Sequence, residues 1–423
     1  MAKIKEGYKA TEIGVIPEEW GVKQLISVCG INTESLSSKT NPNTVINYID
    51  IESVTTGRIN AIKQMKFGES PSRARRKVQK EDVIVSTVRP YLKAFAPVER
   101  TETNLICSTG FAVLRANKNI CDYEYLYQVT ISEIFINQLI TKMVGSNYPA
   151  VNSSDLANSY LPVPPLNEQH RIAEILSATD EHIEKLDKTI EDYQLLKKGM
   201  MKKLLTEGIG HTEFKDTEIG RIPKAWEVKP LKSITNDMYQ GINTVTEKVQ
   251  YFDTGIPIIQ AKHMTKGCLD FSDIRFVSSF DYKKYSKKYN PQIGDLLISN
   301  IGTIGKVTIV NESIDFLIAW NVFLVKVSSN INSLYLSYVL KRLSDIGYYD
   351  KLTTGNATKF INKTEMGNVN IAIPTIDEQQ QIASVLNEID NRISLYQQEK
   401  ESYFQLKKAL MEKLLTGKIR VTL

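Results

Sequence analysis

Apolar positions recur at alternating steps of four and three residues in two stretches of the chain. In one, Ile382, Leu386, Ile389, Ile393, Tyr396, Tyr403, Leu410 and Leu414 keep the step, with Lys400 and Lys407 in the two open positions. In the other, Ile172, Leu176, Thr179, Ile183, Leu186, Ile190, Tyr193, Met200 and Leu204 do the same, with Lys197 in the gap. A stripe of this period lies on one face of a helix that packs lengthwise on another helix. Pro164-Pro165 and Pro374 precede Asn167 and Asp377, favoured N-cap residues, and Gly208 and Gly417 stand near the predicted ends. Each helix is expected to run about 40 residues, or roughly 60 Å. Neither can bury its stripe alone. Each is flanked by an equivalent globular segment, which predicts that the two pair antiparallel and give a pseudo-twofold molecule.

The two helices belong to an internal duplication. Residues 11–20 read TEIGVIPEEW and residues 217–226 read TEIGRIPKAW, and the continuation GVKQL is echoed by EVKPL. Residues 161–209 align without gaps on 371–419, with 19 of 49 positions identical, so the period is half the chain. The order is therefore variable, repeat, variable, repeat. The beginning of the chain matches its own middle junction, which implies a closed, ring-like order. Trp20 and Trp226 suit an apolar anchor seating each globular segment on a helix end.

The intervening segments differ in sequence but share a texture. Strand-like runs at Val45–Ile51, Val83–Val88 and Gly110–Leu114 precede a helical stretch from Tyr123 to about Ile140. Runs at Ile256–Ala261, Asp295–Ser299, Lys306–Val310 and Asn321–Val327 precede one from Ser333 to about Leu343. The same order predicts one α+β fold used twice. We accordingly divide the chain into a first globular segment (1–160), a first repeated helix (161–208), a junction with a second globular segment (209–370), and a second repeated helix with the C-terminal tail (371–423).

Composition narrows the class. The 423 residues are 42% hydrophobic and 24% charged, which excludes a wholly disordered chain. The net charge of +5 permits a polyanionic partner without requiring one. Four scattered cysteines without a CxxC pair, and four histidines, argue against zinc and against a disulfide scaffold, and favour a reducing cytoplasm. The N-terminus has no signal-peptide pattern, and no apolar run is long enough to span a membrane.

Catalytic signatures are missing. The sequence has no GxxxxGK[ST], no dinucleotide fingerprint after a strand, no Asn/Asp-Pro-Pro-aromatic motif, no GxSxG and no HExxH. Asp50-Ile51-Glu52 lacks the nearby lysine of a nuclease site and reads as strand plus turn. A chain of this size without an active-site signature is expected to bind or to position.

Basic residues cluster in the variable segments. Arg73, Arg75, Arg76 and Lys77 fall in a Ser/Pro-rich loop, followed by Arg89, Tyr91 and Lys93. Lys283, Lys284, Lys287 and Lys288 alternate with Tyr282, Tyr285 and Tyr289. Such clusters either attract phosphates or form a solvated face. Polar loops at 145–148 and 355–359 occupy matching places before each repeated helix.

Two divergent segments, each opened by TEIGxIPxxW and closed by a helix of the form EQxxIAxxL…LKKxxMxKLLT, resemble the specificity subunit of type I restriction–modification systems over essentially the whole chain. The resemblance implies two target-recognition domains, each reading one half of a split, asymmetric double-stranded DNA site. It implies a coiled coil that sets the gap and docks two modification (methyltransferase) subunits, through which restriction motor–nuclease subunits join. S-adenosylmethionine then belongs to the modification subunit, and this chain holds no cofactor and no catalytic residue. The expected location is the cytoplasm, with no membrane partner. By residue type and loop position, the candidates for the first half-site are Arg73, Arg75, Arg76, Arg89, Tyr91, Asn147 and Tyr148. Those for the second are Gln240, Asn243, Lys262, His263, Asn300, Lys306 and Lys359. A scaffold with two protein-binding heads on a coiled coil remains the alternative from another class.

Overall fold

The computed structural model describes residues 4–145, 147–265, 267–289, 291–352 and 359–421. The chain forms two compact units. One comprises Met1–Lys188 with Gln397–Leu423, the other Thr189–Tyr396. Both boundaries run through the middle of a long helix.

In the first unit the opening repeat folds as a hairpin, Tyr8–Thr11 against Gly14–Pro17. Its continuation Gly21–Gln24 pairs antiparallel with Tyr160–Val163, the strand that leads into the first long helix. The two repeated pieces thus clasp the variable segment at its base. Between them lie two four-stranded sheets. One has the order Phe95–Pro97, Asp82–Ser86, Phe111–Ala116, Cys29–Ile31; the other has Lys63–Lys66, Val45–Ile49, Leu105–Ser108, Ala74–Lys77. Strand alternation sends Val83, Val85, Ala112 and Leu114 toward the helices and Ile84, Phe111 and Val113 toward the second sheet.

The second unit repeats this plan. Phe214–Thr217 pairs with Gly220–Pro223, and Glu227–Pro230 with Asn370–Ile373. The main sheet runs Thr235–Gln240, Val322–Val327, Leu296–Ser299, Val307–Ile309, the same order as its counterpart. In both units the second sheet contains one parallel pair, Val45–Ile49 with Leu105–Ser108 and Ile256–Ile259 with Leu317–Ile318. The two segments share one α+β fold, as their common order predicts.

Three local expectations need correction. The helical stretch from Tyr123 is two helices, Tyr123–Thr130 and Glu133–Ile140. Ser132 breaks it by adopting extended backbone (ψ 156°) as the N-cap of the second, its hydroxyl donating to the Val129 carbonyl. The residues 73–77, expected as a loop, include an edge strand, because Ala74–Lys77 pairs with Leu105–Ser108. The long helices begin one residue before the expected caps, at Leu166 and Ile376. Thr375 takes the capping place in the second, its Oγ1 accepting from the Glu378 N–H at 3.4 Å, while Asn167 caps only Glu168, at 3.0 Å.

The helices themselves are as long as the stripe implies, 42 residues (Leu166–Glu207) and 39 residues (Ile376–Leu414). Gly208 and Gly417 follow them with φ +66° and +67°, the left-handed conformation that ends a helix. Within each unit the helix portions run antiparallel. In the first unit Lys407 meets Asp180 and Lys400 meets Asp187, a rise of seven residues matched by a fall of seven. In the second, Lys197 meets Asp390 and the Tyr193 ring lies 5.5 Å from that of Tyr396. Ile172, Leu176, Ile382 and Leu386 are fully buried. Among the described residues, no helix is long and apolar enough to cross a membrane.

Candidate nucleic-acid interface

In the first unit, strand Asp82–Ser86 runs out into residues 87–93, and the chain returns to the same place at 144–151. Val88 bridges Ala150, the Arg89 N–H donates to the Pro149 carbonyl (2.8 Å), and the Val151 N–H donates to the Thr87 carbonyl (2.9 Å). Arg89 sits at φ +47°, which turns the chain sharply before the short 3-10 turn Pro90–Leu92. Its guanidinium donates to the Asn147 carbonyl at 2.8 Å and lies 4.8 Å from the Tyr148 ring centre. Tyr91 and Tyr148 are exposed. The structure therefore brings Arg89, Tyr91, Asn147 and Tyr148 together; Ser146 lies outside the described residues.

Arg73, Arg75 and Arg76 occupy the neighbouring sheet edge. The Arg73 carbonyl accepts from Thr109, and Gly110 in the same turn accepts from Thr87, so this turn stands between the edge and the Arg89 loop. Arg75 lies over the Phe67 ring at 4.7 Å. Arg76 is half-buried, its Nε has no partner, and burial pulls its pKa down. Lys93, in the same basic stretch, is paired with Glu133 (2.9 Å). Asp50 caps the turn Ile51–Ser53 through the Ser53 N–H, consistent with strand plus turn.

The second unit builds the same junction from different residues. Leu296–Ser299 runs out into residues 300–306, and Lys359–Ile361 returns to it. Ile301 bridges Phe360, Gly302 N–H donates to the Lys359 carbonyl (3.1 Å), and Ile361 N–H to the Asn300 carbonyl (3.0 Å). Asn300 N–H donates to the Asn321 carbonyl in the turn between Leu317–Ile318 and Val322–Val327. The same turn is braced by residues 240–242. Gln240 Nε2 donates to the Trp320 carbonyl (2.9 Å), Ile242 N–H to Ile318, and Trp320 N–H to Ile242. Gln240, Asn300 and Lys359 thus converge, with Lys306 at the end of the loop and Asn243 just beyond Ile242. Lys359 is exposed and pairs with Asp350 (3.1 Å). Residues 355–358 of the polar loop lie outside the described residues.

Other candidates are occupied locally. Lys262 pairs with Asp273. His263 is 3% exposed; its Nδ1 accepts from the Gln260 N–H and its Nε2 reaches the Asp273 carbonyl, each at 3.0 Å. The basic run at 283–288 lies on helix Ser279–Tyr289, which takes the place that strand Ala74–Lys77 holds in the first unit. Tyr285 packs inward and donates to Glu247 (2.6 Å), leaving the lysines outward.

The candidates omitted Trp320. It is 47% exposed, whereas Trp20 and Trp226 are 0% and 1% exposed. The usable signal was the repeat: two tryptophans recur at matching positions and the third does not.

A family model described as the type I restriction modification DNA specificity domain matches the chain twice, over residues 17–192 and 223–402. The chain belongs to this family. The two matches cover the two units' recognition segments together with much of each long helix. Among relatives, the putative type I restriction enzyme MjaX specificity subunit of Methanocaldococcus jannaschii is 30% identical, covering 99% of this chain and 97% of that protein. The MjaVIII specificity subunit of the same organism is 32% identical over 75% of each. A chain from a solved structure concerned with complex assembly and conformational transition of a type I restriction–modification system aligns with a TM-score of 0.61 and 26% identity, covering 96% of this chain and 99% of that one. The S subunit from M. genitalium, at 16% identity and a TM-score of 0.59, covers 99% of both and shares the fold.

Proposed function

We propose that this specificity-family chain is the sequence-reading subunit of a type I restriction–modification enzyme. Each recognition domain reads one half of a split, asymmetric duplex site. The chain is non-catalytic. Two modification subunits dock on it, bringing S-adenosylmethionine and the methyl transfer, and motor–nuclease subunits join through them. The observation that carries this reading is the double family match laid over two junctions of equal construction and unlike side chains. Equal backbone bridges present different groups to a ligand, as two different half-sites require.

For the first half-site the contacts are Arg89, Tyr91, Asn147 and Tyr148, with Arg73 and Arg75 on the adjoining edge and Arg76 supporting it. For the second they are Gln240, Asn243, Lys306, Lys359 and Trp320; Asn300, buried with its amide donating to the Ile361 carbonyl, holds the junction together, and Lys262 and His263 brace the neighbouring turn. Arginine forks and amides suit base edges, and lysines suit phosphates. Mapping methylated adenines in DNA from cells carrying the chain and its modification subunit tests the reading. Two short motifs at a fixed gap are expected; methylation without a bipartite motif rejects it. Arg89→Ala should then weaken binding to duplexes holding the first motif far more than to duplexes lacking it. A uniform loss would reassign Arg89 to the backbone.

A further inference from the structure

The first long helix carries one lysine inside its apolar stripe and the second carries two, and each of these lysines meets an aspartate of the other helix. In the first unit the Lys407 ammonium is 2.5 and 2.7 Å from the two carboxylate oxygens of Asp180. Gln128, fully buried on helix Tyr123–Thr130 of the recognition domain, donates to that carboxylate at 2.9 Å. In the second unit Lys197 is 2.5 Å from Asp390, and the buried Tyr338, on helix Ser333–Asp345, donates its hydroxyl to Asp390 at 2.7 Å. Lys197 with Lys407, Asp180 with Asp390, and Gln128 with Tyr338 each stand one repeat period apart. The ion pair is kept in both copies. The domain's arm changes from amide to phenol yet remains a donor to the same carboxylate.

An apolar heptad stripe distinguishes poorly between one alignment and another slipped by a heptad, since apolar residues meet in both. The nodes do distinguish. In the first unit a slip keeps only one of two ion pairs: one way Lys407 meets Asp187 while Asp180 faces Leu414 and Lys400 faces Gln194, and the other way Asp180 meets Lys400 while Lys407 faces Ala173 and Asp187 faces Ile393. In the second unit the two slips set Lys197 opposite Gln397 or Ala383 and Asp390 opposite Leu204 or Ile190, so both charges of a part-buried pair lose their partner, which is strongly disfavoured. The domain arm adds a second constraint, because the carboxylate that fixes the helices also receives a hydrogen bond from the domain seated on them.

We propose that Asp180 and Asp390, each with its lysine and its domain arm, are positioning residues for the gap between half-sites. They select one alignment of the helix pair and one seating of each domain upon it. This deepens, and rests on, the split-site reading.

The test uses the full chain assembled with its modification subunits and duplexes that keep both half-sites while the gap varies one base pair at a time. The unaltered chain should prefer one gap; equal binding at every gap overturns the split-site reading and this proposal with it. Asp180→Asn with Lys407→Met, combined with Asp390→Asn and Lys197→Met, removes both pairs without leaving a charge alone. Discrimination between the preferred gap and its neighbours should fall about ten-fold, while affinity for a duplex with one half-site stays unchanged. Charge reversal, Asp180→Lys with Lys407→Asp, should restore part of it. A merely structural role would lower the melting temperature and leave the gap preference intact, and that result overturns the proposal. Should the quadruple variant fail to fold, Tyr338→Phe removes only one arm and keeps the ion pair. Broadened gap tolerance in it supports the proposal, and an unchanged gap profile overturns it.

Discussion

Trp20 donates its indole N–H to Glu168 Oε2 at 3.0 Å, joining residues 148 positions apart. Trp226 and Glu378 form the same bond, also at 3.0 Å. In both units the closing residue of the opening repeat is thereby anchored to the first turn of a long helix. A buried indole needs an acceptor, and a carboxylate is favoured beside a helix N-terminus. Glu168 also receives Arg420 through two bonds (2.6 and 3.0 Å), while Glu378 receives the Ile209 N–H (3.0 Å) and contacts His211 (2.9 Å).

Glu168→Ala should destabilise the first unit by about 3 kcal/mol, because it leaves the indole and Arg420 without their acceptor. Trp20→Tyr or Phe removes one bond to a charged partner and should cost less through that bond alone, about 1.5–2 kcal/mol. Urea unfolding of the purified chain measures both. A loss below about 0.5 kcal/mol for Glu168→Ala, the range of ordinary surface changes, would reject the anchor.

Two glycines should respond with opposite sign to alanine. At Gly241 a Cβ would stand 2.3 Å from the Ala319 carbonyl and 2.5 Å from that of Ile318, backbone atoms that cannot yield alone. Gly241→Ala should destabilise by roughly 1–3 kcal/mol, as overpacking does, and disturb the turn that carries Trp320. Gly199 lies inside the first long helix with nothing within 4 Å of its Cβ position. Gly199→Ala should stabilise by about 1 kcal/mol. Thermal melting decides both, and a shared sign would contradict the packing described.

His263 makes stability depend on pH. Burial holds its pKa below the ordinary value of 6.5, against the opposing bond to the Asp273 carbonyl. The unfolded chain therefore takes up a proton at a pH where the folded chain does not. The contribution is complete above about 6.5, the unfolded value, and is lost as pH falls toward the folded value. Protonation of Nδ1 would also remove the acceptor of the Gln260 N–H. Melting curves between pH 7 and pH 5 should show a steeper decline for the unaltered chain than for His263→Gln; parallel curves would exclude the effect.

Trp320 should report DNA binding to the second domain. It is the exposed tryptophan of the three, so binding at the proposed interface should quench intrinsic fluorescence. Trp320→Phe should abolish the change while folding is retained. Quenching that persists in Trp320→Phe would place the contact elsewhere.

The duplication and the long helices were legible because their signals are local or self-referential. Ile172, Leu176, Ile382 and Leu386 keep a helical period, and a residue's own spacing decides which side of a helix it occupies. The pairing of Lys197 and Lys407 with aspartates was not legible. Spacing marks these lysines as interruptions of a stripe and names no partner. The strand Ala74–Lys77 was hidden for a similar reason: Ser and Arg residues read as loop until Leu105–Ser108 supplies the hydrogen bonds. Trp320 escaped because an apolar run beside it suggests burial.

Sequence alone determined that one α+β plan is used twice, that two helices of about 40 residues bear matching stripes, and to which family the arrangement is similar. Tertiary structure decided which loops meet. Arg89 reaches Asn147, 58 positions on, and Gly302 reaches Lys359, 57 positions on. These meetings depend on the strands Gly21–Gln24 and Glu227–Pro230 closing onto Tyr160–Val163 and Asn370–Ile373. Periodicity records how each residue faces its own element, whereas convergence of distant loops is a property of how the elements close on one another.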